Sequence, residues 1–210
     1  DEVVAALEAT GLPMLGLSTR RGNEGENGLS ALPGRRDDAF AAVDEALAYA
    51  SAINAQNVHV MAGFATGQTA HSAFLETVSY ACTQAAPLGI TILIEPLNSY
   101  DAPGYFLQTT DQAVSIINEV GADNLLLMFD CYHVQLMEGD ITNRLTKLMP
   151  YIGHVQFANV PMRSEPDQGE LNFNHIFDQL ASLGYSKPLG AEYKPNGATD
   201  ETLSWLKRFK

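Results

Sequence analysis

The sequence predicts an α/β fold with a parallel sheet of the closed (β/α)8 barrel kind, on three observations. Apolar stretches of strand length alternate strictly with segments of helical periodicity along the 210 residues. No glycine-rich fingerprint follows any strand-like stretch, which weakens a dinucleotide-binding sheet. Polar side chains stand near the C-terminal ends of four successive strand candidates, where a parallel barrel gathers its functional groups. The alternation alone leaves an open doubly wound sheet and a barrel both standing. The strand-end residues favour the barrel.

The elements follow in order. "DEVVAALEATG" opens as a short amphipathic helix with Val3, Val4 and Leu7 on one face and Gly11 as its stop. "PMLGLS" (13–18) is a strand, and a polar, Gly-rich loop runs to Arg36. "DDAFAAVDEALAYASAIN" places Phe40, Val43, Leu47 and Ala50 at helical spacing. "NVHVMAG" is a strand, and a helix over 68–87 carries Phe74, Val78 and Ala81. "ITILIE" is a strand, and "TTDQAVSIINEVG" is a helix with a capping threonine and Gly121 as its stop. "LLLMFD" is a strand, "DITNRLTKLMPY" a short helix and "IGHVQFA" a strand. After a loop with Pro161 and Pro166 come the helix "FNHIFDQLASLGY", the strand "PLGAEY" and the closing helix "TDETLSWLKRF". That makes six strands, with no linker or low-complexity tract, and a single domain over 1–210.

Bulk composition narrows the function classes. The formal charge is −13, from 12 Lys and Arg against 25 Asp and Glu. Such a surface repels phosphate backbones and argues against a nucleic-acid partner. No apolar run is long enough to span a bilayer, which argues against a membrane partner. Cys82 and Cys131 form no CxxC pair and fit a reducing, cytoplasmic setting.

Glu95, Asp130, Gln156 and Glu192 are the four strand-end residues. A charge at the mouth of an apolar run such as "TILI" is unfavourable unless something there needs it. A lone acid at a strand end is commonly a helix cap or a solvated rim charge; four in phase are a stronger signal. Strands lie about 4.8 Å apart, so four abreast in a flat sheet span roughly 14 Å. Ligands of one cation must lie within roughly 4.4 Å of each other. A barrel with inward side chains converges them; a flat sheet in sequential order does not. Three facing carboxylates repel one another unless a cation sits among them. Three carboxylates and an amide oxygen form a hard donor set that suits Mg²⁺ or Mn²⁺.

With these residues in place, "VHVMAG", "LIEPLN", "FDCYHVQLMEGD", "GHVQFANVP", "EPDQGELNF" and "GAEYKPNG" resemble the hydroxypyruvate isomerases, within the xylose isomerase-like (AP endonuclease family 2) barrels. The steps of 35, 26 and 36 residues between Glu95, Asp130, Gln156 and Glu192 also match that family. The resemblance covers nearly the whole chain. It implies a divalent metal at those four residues, with Glu95 and Glu192 as the catalytic proton donor and acceptor. It also implies interconversion of hydroxypyruvate and 2-hydroxy-3-oxopropanoate through a metal-stabilised cis-enediolate. The partner it implies is a small hydroxy-oxo acid. The family's first strand, first helix and second strand have no counterpart here, so the expectation is a barrel lacking its first β-α-β unit and a natural product that starts further upstream. Barrels of this kind often self-associate, and no interface signature in the sequence fixes a number.

His133, Arg163 and Lys194 are candidates for substrate binding: the histidine for a hydroxyl, the two cations for a carboxylate. His154, two residues before Gln156, reads as supporting the metal ligands from behind or as a satisfied core histidine. His59 lies within a strand and reads as structural, and "SEPDQGE" reads as a lid or an ordinary turn-rich loop. Rival readings are isomerisation of a four-carbon 2-oxo acid sugar (2-oxo-tetronate) and ketose 3-epimerisation. Gln156 stands where epimerase relatives tend to carry histidine, which leans towards the hydroxypyruvate branch. Phosphodiester hydrolysis by a histidine-rich multi-zinc cluster fits poorly with five histidines.

Overall fold

The computed structural model describes residues 2–209; Asp1 and Lys210, the two ends of the expected domain, lie outside the described residues. The chain divides into two compact units, one ending at Leu127 and one beginning at Met128.

The first unit holds α1 (Glu2–Thr10), β1 (Gly16–Ser18), α2 (Arg36–Ala52), β2 (Asn57–His59), α3 (Gly67–Ala85), β3 (Thr91–Ile94), α4 (Thr110–Val120) and the first half of β4 (Leu125–Asp130). Its strands pair in parallel and in sequence order, with Ser18 opposite His59, His59 opposite Leu93, and Ile94 opposite Leu127. Val58, Ile92, Ile94, Leu125 and Leu127 are buried, as strands covered by helices require. Against them pack Val43 and Leu47 of α2 and Phe74 and Val78 of α3, the residues that helical spacing had singled out. The α2–α3 seam adds a Phe40–Tyr80 stack at 3.9 Å and an Arg36–Glu76 ion pair at 2.6 Å. The loops beyond β1 and β2 meet at Gly28 and Gly63, both at positive φ. A Cβ on Gly28 would collide with the Met61 backbone, and one on Gly63 with the Gly28 carbonyl. The Thr109 hydroxyl caps α4 by accepting from the Gln112 N–H at 3.2 Å, and Gly121 ends that helix in the left-handed conformation.

The second unit holds the end of β4, then α5 (Cys131–Met137), α6 (Ile141–Leu148), β5 (Ile152–Phe157), α7 (Phe173–Ser182), β6 (Leu189–Ala191) and a 3-10 segment over Thr199–Phe209. β5 and β6 are parallel, with Gln156 opposite Gly190. One face of β5 sends Phe157 into an aromatic cluster with Phe173, Phe177 and Trp205, at centroid distances of 5.0–5.8 Å. The other face carries His154 and Gln156.

The six expected strands are the six found. Helix α5, between the expected strand "LLLMFD" and the expected helix "DITNRLTKLMPY", is an element that the sequence patterns do not predict. The expected closing helix is 3-10 rather than α. "SEPDQGE" is tied down at both ends: Ser164 O accepts from Asn159 N–H at 3.0 Å, and Glu170 N–H donates to Val160 O at 3.0 Å.

Candidate active site

In the first unit, three buried apolar residues of β3 (Ile92–Ile94) deliver Glu95, itself only 5% exposed. Glu95 lies two residues past Leu93 and so shares the face of Leu93 and of its register partner His59. His59 Nδ1 is 3.7 Å from Glu95 Oε2 and 3.3 Å from Ser18 Oγ. The ring is 6% exposed, and burial pushes its pKa down to about 4, so it is neutral at physiological pH. Tyr105 is also buried, and its Oη accepts from the Ala62 N–H at 2.8 Å. Burial raises the phenol's pKa, and the Glu95 charge adds to that push.

In the second unit, Asp130 closes β4 and caps α5, its Oδ1 accepting from the Tyr132 N–H at 2.9 Å. Its Oδ2 lies 3.7 Å from His133 Nε2 and 3.7 Å from Arg163 Nη2. His133 faces that carboxylate from within helix α5. It occupies the first turn of α5, is 2% exposed, and looks back at the carboxylate that starts the helix. Arg163 sits at positive φ, donates from Nη2 to Glu192 Oε2 at 2.8 Å, and lies 4.9 Å over the Tyr132 ring. Glu192 follows β6, its N–H donating to Phe157 O at 3.1 Å, with its side chain half exposed. Burial, with the neighbouring Asp130 charge, holds the Cys131 thiol well above its ordinary value.

Gln156 Oε1 is buried and, among the described residues, makes no hydrogen bond. Buried acceptors of this kind are uncommon without a partner. Space for its side chain comes from Gly190 opposite: a Cβ there would lie 3.1 Å from Gln156 Cγ and 2.9 Å from His154 Nε2. Burial first, and the Lys187 charge second, push the His154 pKa down, so that ring is neutral too. Lys194 is joined to Arg163 through its backbone, its N–H donating to Arg163 O at 2.7 Å, while its side chain is exposed.

The second unit thus gathers Asp130, His133, Arg163 and Glu192 by direct contact, and places Gln156 and His154 side by side above Gly190. His59 and Tyr132 are the residues that sequence reasoning missed as partners of functional groups. The period-two pattern of "NVHVMAG", set against that of "ILIE", carried the signal for His59. Chemically, the donors are hard oxygens, and the buried amide oxygen of Gln156 fits a ligand for a divalent cation. Arg163 supplies a planar, stacked guanidinium suited to an anionic group.

Among the described residues no helix is long and apolar enough to cross a membrane. A family model described as Xylose isomerase-like TIM barrel matches residues 1–209. The 2-oxo-tetronate isomerase of Cupriavidus necator is 43% identical over 99% of this chain and 82% of its own length. The hydroxypyruvate isomerase of Escherichia coli is 36% identical over 89% of this chain and 74% of its own. The crystal structure of AP endonuclease, family 2, from Brucella melitensis superposes with a TM-score of 0.95 at 37% identity, covering 99% of this chain and 83% of that one. The expectation of a parallel α/β barrel is borne out, and the chain belongs to the xylose isomerase-like TIM-barrel family.

Proposed function

We propose that this chain is an isomerase of small hydroxy-oxo acids, interconverting hydroxypyruvate and 2-hydroxy-3-oxopropanoate. The observation that carries the reading is the second unit's constellation. Two carboxylates, Asp130 and Glu192, bracket the Arg163 guanidinium, and a buried amide oxygen stands on the adjoining strand. Such a set can hold a cation and an anionic substrate together. The Escherichia coli relative is named hydroxypyruvate isomerase, which supports the same substrate class.

Glu95, Asp130, Gln156 and Glu192, the four residues that the family resemblance implies, are the proposed donors for one divalent cation, Mg²⁺ or Mn²⁺. When bound, that cation supplies positive charge where negative charge develops on the substrate oxygens. Of Glu95 and Glu192, one removes the proton from C3 of hydroxypyruvate and the other returns a proton to C2, by way of a cis-enediolate. Arg163 takes the substrate carboxylate, and His133 takes a hydroxyl. His154 orients Gln156 from the same face of β5. Three carboxylates against a dication leave one net negative charge, which Arg163 offsets. The exposed Lys194 lowers the barrier to approach of an anion. The buried free thiols of Cys82 and Cys131 support a reducing, cytoplasmic setting.

A second reading, isomerisation of a four-carbon 2-oxo acid sugar, is favoured by the relative named 2-oxo-tetronate isomerase. A coupled assay with Mn²⁺ on hydroxypyruvate and on 2-oxo-tetronate separates the two by kcat/KM. Glu95→Gln and Glu192→Gln are each expected to lower kcat by about 10² to 10⁴. Full activity in both variants would falsify the assignment, and zinc-dependent cleavage of abasic DNA would favour a hydrolase instead.

A further inference from the structure

We infer that His59, braced by Ser18, is a positioning residue for the Glu95 carboxylate, holding it in the orientation that cation binding and proton transfer require. The inference rests on the roles proposed above for Glu95.

The backbone register supplies the frame. Ser18, His59 and Leu93 are partners across β1, β2 and β3 and therefore face the same side of the sheet. Glu95 stands one layer further on that side. The imidazole approaches the layer above with Nδ1, at 3.7 Å from Glu95 Oε2, and is steadied laterally by Ser18 Oγ at 3.3 Å. His59 Nε2 is buried and has no hydrogen-bond partner among the described residues.

The tautomer follows from these neighbours. A proton on Nδ1 faces the carboxylate and the serine oxygen; a proton on Nε2 would be a buried donor with no acceptor. Orphaned buried N–H groups are rarer than under-satisfied acceptors, and the carboxylate charge favours the nearer proton. His59 therefore presents Nδ1–H to both oxygens, and the exposed Ser18 turns its own hydroxyl hydrogen to solvent. At 3.7 Å the pull on Glu95 is charge–dipole attraction rather than a hydrogen bond. The neutral ring orients the carboxylate without cancelling its charge, which an arginine or lysine at the same place would do.

A space-filling role explains the position less well. Leucine or methionine would fill the same volume and leave no buried nitrogen unsatisfied, an omission that commonly costs about 1–3 kcal/mol. A histidine kept here despite that cost is accounted for by its other nitrogen, Nδ1, which faces Glu95 Oε2 at 3.7 Å.

The test uses His59→Leu, His59→Asn, His59→Gln and Ser18→Ala in the full chain, each assayed where circular dichroism shows it folded. The asparagine amide can place an N–H where Nδ1 stands, whereas the glutamine amide reaches towards Nε2. Two readouts are taken: Mn²⁺ affinity by titration without substrate, and kcat and KM on hydroxypyruvate. Removing such a supporting group typically weakens metal binding by about 10- to 100-fold. His59→Leu is expected to fall in that range and to lose kcat with KM little changed. Asparagine should restore most of both, glutamine should not, and Ser18→Ala should show a smaller loss of the same kind. Unchanged Mn²⁺ affinity and kcat in His59→Leu, or rescue by glutamine as complete as by asparagine, overturns the inference. If His59→Leu does not fold, the asparagine–glutamine contrast decides. If the wild-type protein isomerises neither 2-oxo acid, the isomerase reading fails and the Mn²⁺ arm alone decides on His59. Weakened binding restored by asparagine then sustains it; unchanged binding, or none in the wild type, overturns it.

Discussion

His59 makes the stability of this protein depend on pH within a defined window. In the unfolded chain its imidazole titrates near the ordinary value of 6.5; in the folded protein burial lowers this to about 4. Between those two values the unfolded state binds a proton that the folded state excludes. Stability therefore rises with pH across the window, and is lost as pH falls from about 6.5 to about 4. At about 1.4 kcal/mol for each unit, the loss on acidification is about 3 kcal/mol. That is a substantial share of the roughly 5–15 kcal/mol that holds a typical domain together. The Glu95 carboxylate at 3.7 Å would ease protonation of the ring, so this figure is an upper one. The perturbation is His59→Asn, which removes the titrating group and keeps a polar side chain. Urea unfolding at a series of pH values between about 7.5 and 4 gives the two stability curves. Titration of the carboxylates away from position 59 is common to both and cancels in their difference. The wild type should lose about 3 kcal/mol more than the variant over the series. Parallel curves would refute the reasoning, because they would mean that the ring is hydrated or already charged in the folded protein.

Gly190→Ala places a methyl group 2.9 Å from His154 Nε2 and 3.1 Å from Gln156 Cγ. Thermal unfolding should report a loss of about 1–3 kcal/mol from overpacking, and a titration should show weakened Mn²⁺ binding through a displaced Gln156. Thr109→Ala removes the cap of α4 and should lower stability by about 1 kcal/mol in urea while leaving kcat/KM unchanged. Arg163→Lys keeps the charge but loses the planar fork and the stacking on Tyr132; KM for hydroxypyruvate should rise by about tenfold, with a smaller change in kcat.

How far the sequence could be read depended on the length of each pattern. The strands ending at Glu95 and Asp130 were legible because "ILI" and "LLLMF" are buried runs closed by a charge. The long helices α2 and α3 were legible because their apolar spacing repeats over several turns. Helix α5 was not, since seven residues give too little periodicity, and its start is marked by Asp130, already read as a ligand. One carboxylate performs both tasks, Oδ1 capping the helix while Oδ2 faces His133 and Arg163. Arg163 was legible as a candidate for the substrate carboxylate, but its partner was not. Its pairing with Glu192 depends on a left-handed turn and on the exit of β6, neither of which leaves a local pattern.

Alternation tells which residues share a face, but only register tells which of them meet, and the readings of His59 and His154 turn on that difference. His59 looked like an interior strand residue until its pairing with Ser18 and Leu93 put it one layer below Glu95. His154 could have been an ordinary core residue until the pairing of Gln156 with Gly190 showed both side chains standing over a glycine. The same device serves each unit: a small residue on the neighbouring strand makes room for, or steadies, a side chain that functions one strand away. Ser18 does so with a hydroxyl for His59, and Gly190 by offering no side chain to Gln156. Because neither small residue carries the proposed chemistry, neither stands out in a search for acids, bases and ligands. A larger side chain at position 18 would disturb Glu95 through His59, and one at position 190 would press on Gln156 itself, which is why these two positions belong to the reading of the site as much as the carboxylates do.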